Sequence, residues 1–195
     1  DLWDAETRGC IRSTSGEIKL RACVTSESPY IIVEAEATEG ERDFTWRFYP
    51  ESTDSPRQLN AILKKSKNHF KKDYISNPAS QLYERNGLNY CWQPLLAGGG
   101  TATVWKEIRK GNKSVLVISN THSFPETDAL KKAETALANL QTADISLLRQ
   151  AHRDWWHNYY PQSFKRLPDK KIENFYWAQM YEQASATRVG GGLRA

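Results

Sequence analysis

The sequence predicts an α+β protein in which antiparallel strands come first and about three helices follow. Three observations carry this. Apolar and polar residues alternate through most of the chain before residue 122, which is the period of a half-buried strand. From Ser123 onward the apolar residues recur every three or four positions, the period of a helix with one buried stripe. The stretch from His152 to Arg188 then holds nine aromatic residues, Trp155, Trp156, Tyr159, Tyr160, Phe164, Phe175, Tyr176, Trp177 and Tyr181.

The elements follow in order. Residues 2–12 and 18–25 read as a hairpin across a turn at Ser13–Gly16, with Ile18, Leu20, Ala22 and Val24 pointing one way and Lys19, Arg21 and Cys23 the other. Tyr30–Ala37 repeats the alternation, and Ile31, Val33, Ala35 and Ala37 are expected to face the core. Phe44, Trp46 and Phe48 alternate in a fourth expected strand, stopped by Pro50 and Pro56. Residues 51–87 carry no clear pattern. Within them Lys64–Lys72 reads as a solvated loop or an edge strand, because lysines at an edge block stray pairing. Leu88–Leu96, Ala102–Ile108 and Ser114–Ser119 read as three more strands, with turns at Gly98–Gly100 and Lys110–Asn112. The triple glycine lacks the Lys-Ser/Thr of a phosphate loop and the helix that would hold phosphate, so it reads as a hairpin turn.

Leu130, Ala133, Leu137 and Leu140 mark the first helix, started by Ser123 and Glu126 at capping-box spacing or by Thr127. Thr142 or Asp144 opens a second, whose apolar face is Leu147, Leu148, Ala151, Trp155 and Tyr159. Pro168-Asp169 opens a third, expected to run to about Arg188 and to dock its Phe175/Tyr176 side near Trp155. Gly190–Gly192 ends it, since glycine disfavours helix by about 1 kcal/mol per residue.

Composition narrows the function classes. Charged residues make up 26% of the 195 and apolar residues 39%, which excludes disordered and membrane-spanning classes. A net charge of +4 is modest for this length and does not point to nucleic acid. Neither a nucleic-acid nor a membrane partner is expected. Three cysteines are too few for a disulfide framework. Cys10 and Cys23 fall on the same polar face of the first hairpin, where a bridge and two free thiols are both open readings, and Cys91 reads as a small buried residue. The four histidines, His69, His122, His152 and His157, have no metal-ligand spacing. His152 and His157 stand about 140° apart around a helix. No metal and no cofactor are expected.

The aromatic stretch is the most specific signal. A buried aromatic removes about 150–250 Å² from water, worth at most about 4–6 kcal/mol. Two helices cannot bury nine such side chains against each other alone, so this segment packs against something large. Arg153, Trp155, Trp156, Ser163 and Phe164 are followed by Leu167-Pro168-Asp169-Lys170, Ile172, Glu173, Phe175, Tyr176, Gln179 and Tyr181, and then by Ser185-Ala186-Thr187-Arg188. This series resembles a stretch of bacterial glycoside hydrolases related to the α-L-fucosidase branch of their clan. In those enzymes a β-sandwich of the supersandwich kind precedes a helical linker and an α/α toroid of six helical hairpins. A weaker likeness covers Leu2 to Val33 and Gln93 to Trp105.

The resemblance implies a division into a β-sandwich portion over residues 1–122, linker helices over 123–165, and the first toroid helix with a Gly-rich tail over 166–195. It implies strands before Asp1 and a toroid after Ala195, so that Gly190–Ala195 departs from the family pattern. Trp155, Trp156, Tyr160, Phe175, Tyr176, Trp177 and Tyr181 are then domain-interface residues. The parent would cleave O-glycosidic bonds of a polysaccharide and be secreted or periplasmic. Its catalytic carboxylates lie in the toroid, so no catalytic residue is carried onto this chain and the fragment is expected to be inactive. The carboxylates that are present, Asp154, Asp169, Glu173 and Glu182, read as helix-end and surface groups. The expected partner is the toroid, with carbohydrate as a candidate ligand and self-association through an uncovered face. A stand-alone carbohydrate-binding module and a structural or assembly domain are the competing readings. The third helix argues against the first of these, since a free lectin domain has no use for its aromatic face.

Overall fold

The structure, a computed structural model, describes residues 1–51, 75–138 and 140–187. The basic stretch Lys64–Lys72 with His69, and Arg188 with Gly190–Gly192, lie outside the described residues. Strands β1 (Thr7–Arg12), β2 (Glu17–Val24), β3 (Tyr30–Ala37), β4 (Gln81–Arg85), β5 (Leu88–Pro94), β6 (Gly100–Lys110) and β7 (Lys113–Ser123) precede helices α1 (Ala129–Ala138), α2 (Thr142–Tyr159) and α3 (Lys170–Ala186). All seven strands form one antiparallel sheet in the order β1-β2-β3-β7-β6-β5-β4. It consists of two meanders, β1 to β3 and β4 to β7, joined where β3 pairs β7. The α+β class, the antiparallel sheet and the three helices agree with the sequence reading.

The helices cover one face of the sheet. Register sets Cys23 beside Ile32, Ile32 beside Val117, and Tyr90 beside Val104. These residues pack with Ala129, Ala133, Leu137, Leu140 and Ile145 from the helical half. Helix α1 is held there at both ends. The Ser123 hydroxyl accepts from the Ala129 N–H at 3.0 Å, so Ser123 does cap this helix, but six residues ahead of the group it serves. At the other end Tyr30 donates to the Ala136 carbonyl at 2.8 Å, and Lys106 Nζ donates to the carbonyls of Leu137 and Leu140 at 3.2 and 2.6 Å. A cation and a hydroxyl thus satisfy the carbonyls that a helix end leaves unpaired. Burial pulls the Lys106 ammonium below its ordinary value. Helix α2 is capped by Gln141, one residue before the expected Thr142, because the Asp144 carboxylate reaches back to the Gln141 N–H at 2.7 Å.

The structure corrects several expectations. The helix-covered face carries Ile32, which is 1% exposed, whereas the expected core side of β3 is the opposite face, where Ala35 and Ala37 are buried with Phe44 and Trp46 packed against them and Ile31 and Val33 are half-buried. Both faces of β3 are apolar, so alternation could not say which one the helices take. Phe44–Phe48 forms no strand. Its aromatics instead pack on the opposite face: Phe48 stacks on Trp105 with ring centroids 4.6 Å apart, Trp46 Nε1 donates to Ser114 at 2.8 Å, and Phe44 lies under the Arg109 guanidinium. Arg109 also donates to the carbonyls of Arg42 and Phe44, and so takes backbone acceptors that a ladder would use. Cys10 pairs with Lys19 across β1 and β2, not with Cys23. At about 3.3 Å per residue the two sulfurs' backbones stand roughly 13 Å apart along the strand. Both cysteines are free, and burial, with the Glu6 charge second, pushes the Cys23 thiol up to about 11.

Strand β4 is an addition to the sequence reading. Every one of its residues is exposed, so no buried face stamps a pattern on it. The readable signal is the pair Asn86-Gly87, both at positive φ, which is the two-residue hairpin turn between β4 and β5. The Gly98–Gly100 turn is confirmed between β5 and β6. Gly99 has φ +70°, and a methyl group there would run into the Ser123 carbonyl oxygen. Gly87 has φ +72° with open space around it. Gly87→Ala is therefore expected to lower stability by about 1 kcal/mol, the left-handed backbone term alone. Gly99→Ala should lose about 2–3 kcal/mol, because backbone must also move. Urea unfolding of the two variants checks the order; equal losses would mean that the turn at Gly99 has room the structure does not show.

Candidate functional site

Two features meet at α2: a clasp formed by the first six residues, and an aromatic junction with α3. The clasp centres on Glu6, whose side chain is fully buried. Its carboxylate takes Arg8 at 3.1 Å, Arg21 at 3.0 Å and Arg153 at 3.0 Å. These arginines come from β1, β2 and α2, so one carboxylate ties three elements together. Beside it, His152 is 2% exposed. Its Nε2 faces the Ala5 carbonyl at 3.2 Å and its Nδ1 faces the Ser26 hydroxyl at 2.9 Å. The carbonyl can only accept, which puts a proton on Nε2, and the Ser26 hydroxyl also lies within 3.5 Å of the His152 carbonyl. A serine hydrogen-bonded to a histidine is the opening geometry of a nucleophile. Here both side chains are buried, so substrate has no access and the pair ties the β2–β3 turn to α2. One turn on, His157 Nε2 lies 2.9 Å from Asp4, Trp3 stacks on the His157 ring at 4.6 Å, and Tyr160 donates to the Leu2 carbonyl at 2.8 Å.

The aromatic junction lies behind this clasp. Trp156 and Tyr160 are each 2% exposed and pack with Ala5 and Ala184. Tyr181 stacks on Trp156 with centroids 5.2 Å apart, and Trp177 meets Tyr160 edge-on at 5.7 Å. Helix α3 therefore docks its Trp177, Met180, Tyr181 and Ala184 side, not the expected Phe175/Tyr176 side. Phe175 is 65% exposed, while Tyr176 reaches back to Ser163. The reason is spacing. Residues 177, 180, 181 and 184 make one continuous helical stripe, and Phe175 lies off it. Of the seven residues expected at a domain interface, Trp156 and Tyr160 are enclosed by this chain, Trp155, Tyr176, Trp177 and Tyr181 are half-buried, and Phe175 is open. Ile172, 56% exposed, lies three residues before Phe175 on the same side of the helix, while Phe164, 65% exposed, packs against Trp177.

A groove of about 750 Å³ runs between α2 and α3, bounded by the β2–β3 turn. Trp155 and Tyr159 line it as a half-buried pair, rings nearly parallel at 11° and 5.3 Å. Exposed polar side chains flank them: Asp154 and Asn158 of α2, Gln162 of the following turn, Gln183 of α3 and Glu27. In the sequence Trp155 reads as a domain-interface residue and Tyr159 as part of the apolar face of the second helix. Glu27 and Gln183 carry no such signal, because nothing local relates them to α2.

The carboxylates of this region have structural partners. Asp169 caps α3, accepting from the N–H groups of Lys171 and Ile172. Glu173 accepts from the Leu167 N–H at 2.6 Å and from Lys170 at 3.0 Å, contacts that hold it below the usual carboxylate range. A lowered value is the wrong direction for a general acid. Glu182 accepts from Gln179, and Asp154 from Gln150. Among the described residues no cluster of three metal-ligating side chains occurs, and no helix is long and apolar enough to cross a membrane. No protein-family model matches the chain, and no curated protein is significantly similar to it.

Two outcomes follow. Trp156→Ala should lose about 3–5 kcal/mol of stability, since it empties the centre of the junction, whereas Phe175→Ser should stay within about 0.5 kcal/mol. A large loss for Phe175→Ser in thermal or urea unfolding would place that side chain in the fold. The second concerns acid. Burial pushes the Asp4 carboxyl up, but the His157 hydrogen bond and the Arg153 and Arg8 charges outweigh it and leave the group below its ordinary 3.8. Its stabilising contribution is complete above that value and is lost as pH falls through the lower folded-state value. Asp4→Asn should accordingly lose less of its urea midpoint between pH 6 and pH 3 than the parent; an identical drop in both would remove Asp4 from the acid response.

Proposed function

We propose that this chain is the non-catalytic front part, sheet and linker, of a glycoside hydrolase-like protein that acts on O-glycosidic bonds of a polysaccharide outside the cytoplasm. The chain itself is inactive, and its role is to brace a helical catalytic toroid. The observation that carries this reading is the divided surface of α3. One stripe is spent on α2, while Ile172 and Phe175, both exposed, form a second apolar surface that the chain leaves open. A helix apolar on two sides belongs between two partners. The sheet adds support. On the face away from the helices Ile11 and Val24 are exposed, and Leu20, Ile31, Val33, Leu116 and Ile118 are half-buried, as suits one layer of a sandwich. The resemblance through Arg153–Arg188 supports a helical toroid as the partner of this surface.

The test has two arms. Coding sequence downstream of Ala195 should specify further helical hairpins; an in-frame stop there overturns the reading. The purified chain should not hydrolyse aryl glycosides. Turnover that survives purification and disappears on Asp154→Asn would place the active site in this chain instead.

A further inference from the structure

The groove between α2 and α3 is separate from the open face of α3, and its chemistry is different. Aromatic rings, amides and carboxylates line it, with the Thr187 hydroxyl and the methyls of Ala151 and Ala184 between them. Trp155 and Tyr159 contribute flat, half-buried ring surfaces. Asn158, Gln162 and Gln183 contribute side-chain amides, each with two donors and one acceptor oxygen. Asp154 and Glu27 contribute carboxylates, which only accept when ionised. Among the described residues no lysine, arginine or histidine lines it, so none of these would neutralise a phosphate, sulfate or uronate. An apolar helix would strand the amides and carboxylates without partners. The volume, about 750 Å³, is within the range of small-ligand sites, roughly 300–1,000 Å³.

We propose that this groove binds a neutral oligosaccharide, with a pyranose ring on the Trp155–Tyr159 wall and its hydroxyls on Asn158, Gln162, Gln183 and Asp154. The C–H face of a pyranose is flat and weakly apolar, and matches an indole face. Its edge carries vicinal hydroxyls that both donate and accept, and so matches paired amides and carboxylates. One half of the wall is preorganised. Trp155 is braced on one side by Tyr159 and on another by the buried Trp156, whose ring it meets edge-on at 4.9 Å. The ring therefore loses little further freedom on binding. The polar groups come from separate elements that the clasp and the aromatic junction hold in register. Binding here needs no catalytic group, and it stands on the groove alone, whichever way the hydrolase reading is decided.

The experiment is titration of the whole chain with neutral saccharides (cellohexaose, xylohexaose and a galactan-derived tetraose), read by tryptophan fluorescence and calorimetry. Spermine and inorganic phosphate serve as charged probes. The expected result is saturable binding of at least one saccharide with Kd of about 1 mM or tighter, and none of phosphate. Trp155→Ala should weaken that binding about tenfold or more, and Gln183→Ala, an exposed position that leaves the core untouched, by about threefold. No saccharide bound at about 10 mM overturns the proposal. So does saccharide binding that Trp155→Ala and Gln183→Ala both leave unchanged. Spermine bound in a Trp155-dependent way with no saccharide bound would assign the groove to a cation and equally overturn it.

Discussion

The fold depends on a single buried carboxylate. Glu6 lies with no exposed side-chain surface among Arg8, Arg21 and Arg153. An unpaired charge there would be prohibitive, and a paired one is tolerated only while the partners stay in place. The three guanidiniums remain partly exposed, so their own desolvation is small while the carboxylate's is complete. The arrangement is directional for that reason. The sheet edge and α2 can each shift only by breaking a contact that Glu6 cannot replace. Arg153 shares its stripe of α2 with His152, Trp156, His157 and Tyr160, all turned toward the first residues of the chain. Fixing that stripe determines what the rest of α2 presents, and so places Asp154, Trp155 and Asn158 in the groove.

The junction with α3 is a different kind of contact. It holds aromatic pairs with centroids near 5–6 Å and few hydrogen bonds. Such packing resists separation while leaving the buried Trp156 Nε1 without an acceptor among the described residues. A donor left alone inside a protein is unfavourable by about 1–3 kcal/mol. The ring's contact area therefore has to outweigh that loss, and it does so with Ala5, Tyr160, Tyr181 and Ala184 packed around it.

The parts of this fold that were legible in the sequence are those where burial imposes a period. β2 and β3 read as strands because each meets a core on both sides, Cys23 and Ile32 on the helix-covered face and Ile18, Ala35 and Ala37 on the other, and α1 shows its stripe at Ala133 and Leu137 because both are fully enclosed. The period carries no label for which side is which. Ile31 and Ile32 are equally apolar, and only the tertiary placement of α1 and α2 distinguishes them. β4 left no period because neither of its faces is buried, although Asn86-Gly87 marked its turn. Phe44, Trp46 and Phe48 imitated a strand because a segment lying on a sheet also offers its side chains alternately. In α3 aromatic residues crowd both sides of the helix, and counting them could not reveal that the 177–181–184 stripe would outcompete Phe175. The groove was half legible: its rings stood out, but its amides and Glu27 are brought in from other elements.

The order of the strands also says something about how the molecule assembles. β1 to β3 and β4 to β7 are each runs of neighbours along the chain, and each can zip locally through short turns. The pairing of β3 with β7 is different in kind, since Ile32 meets Val117 only after a long span of chain has been drawn together. Loop closure over that distance lowers chain entropy before any contact compensates it, which makes this ladder the slow, long-range step of sheet formation. Because β7 is also the last of the described strands, a chain emerging from the ribosome holds the first meander with its inner edge unpaired until Lys113–Ser123 has been made. Arg21 faces Glu34 and Lys19 faces Glu36 across that early meander, so the partial sheet already carries these two charge matches between β2 and β3 before α2 arrives to complete the rest.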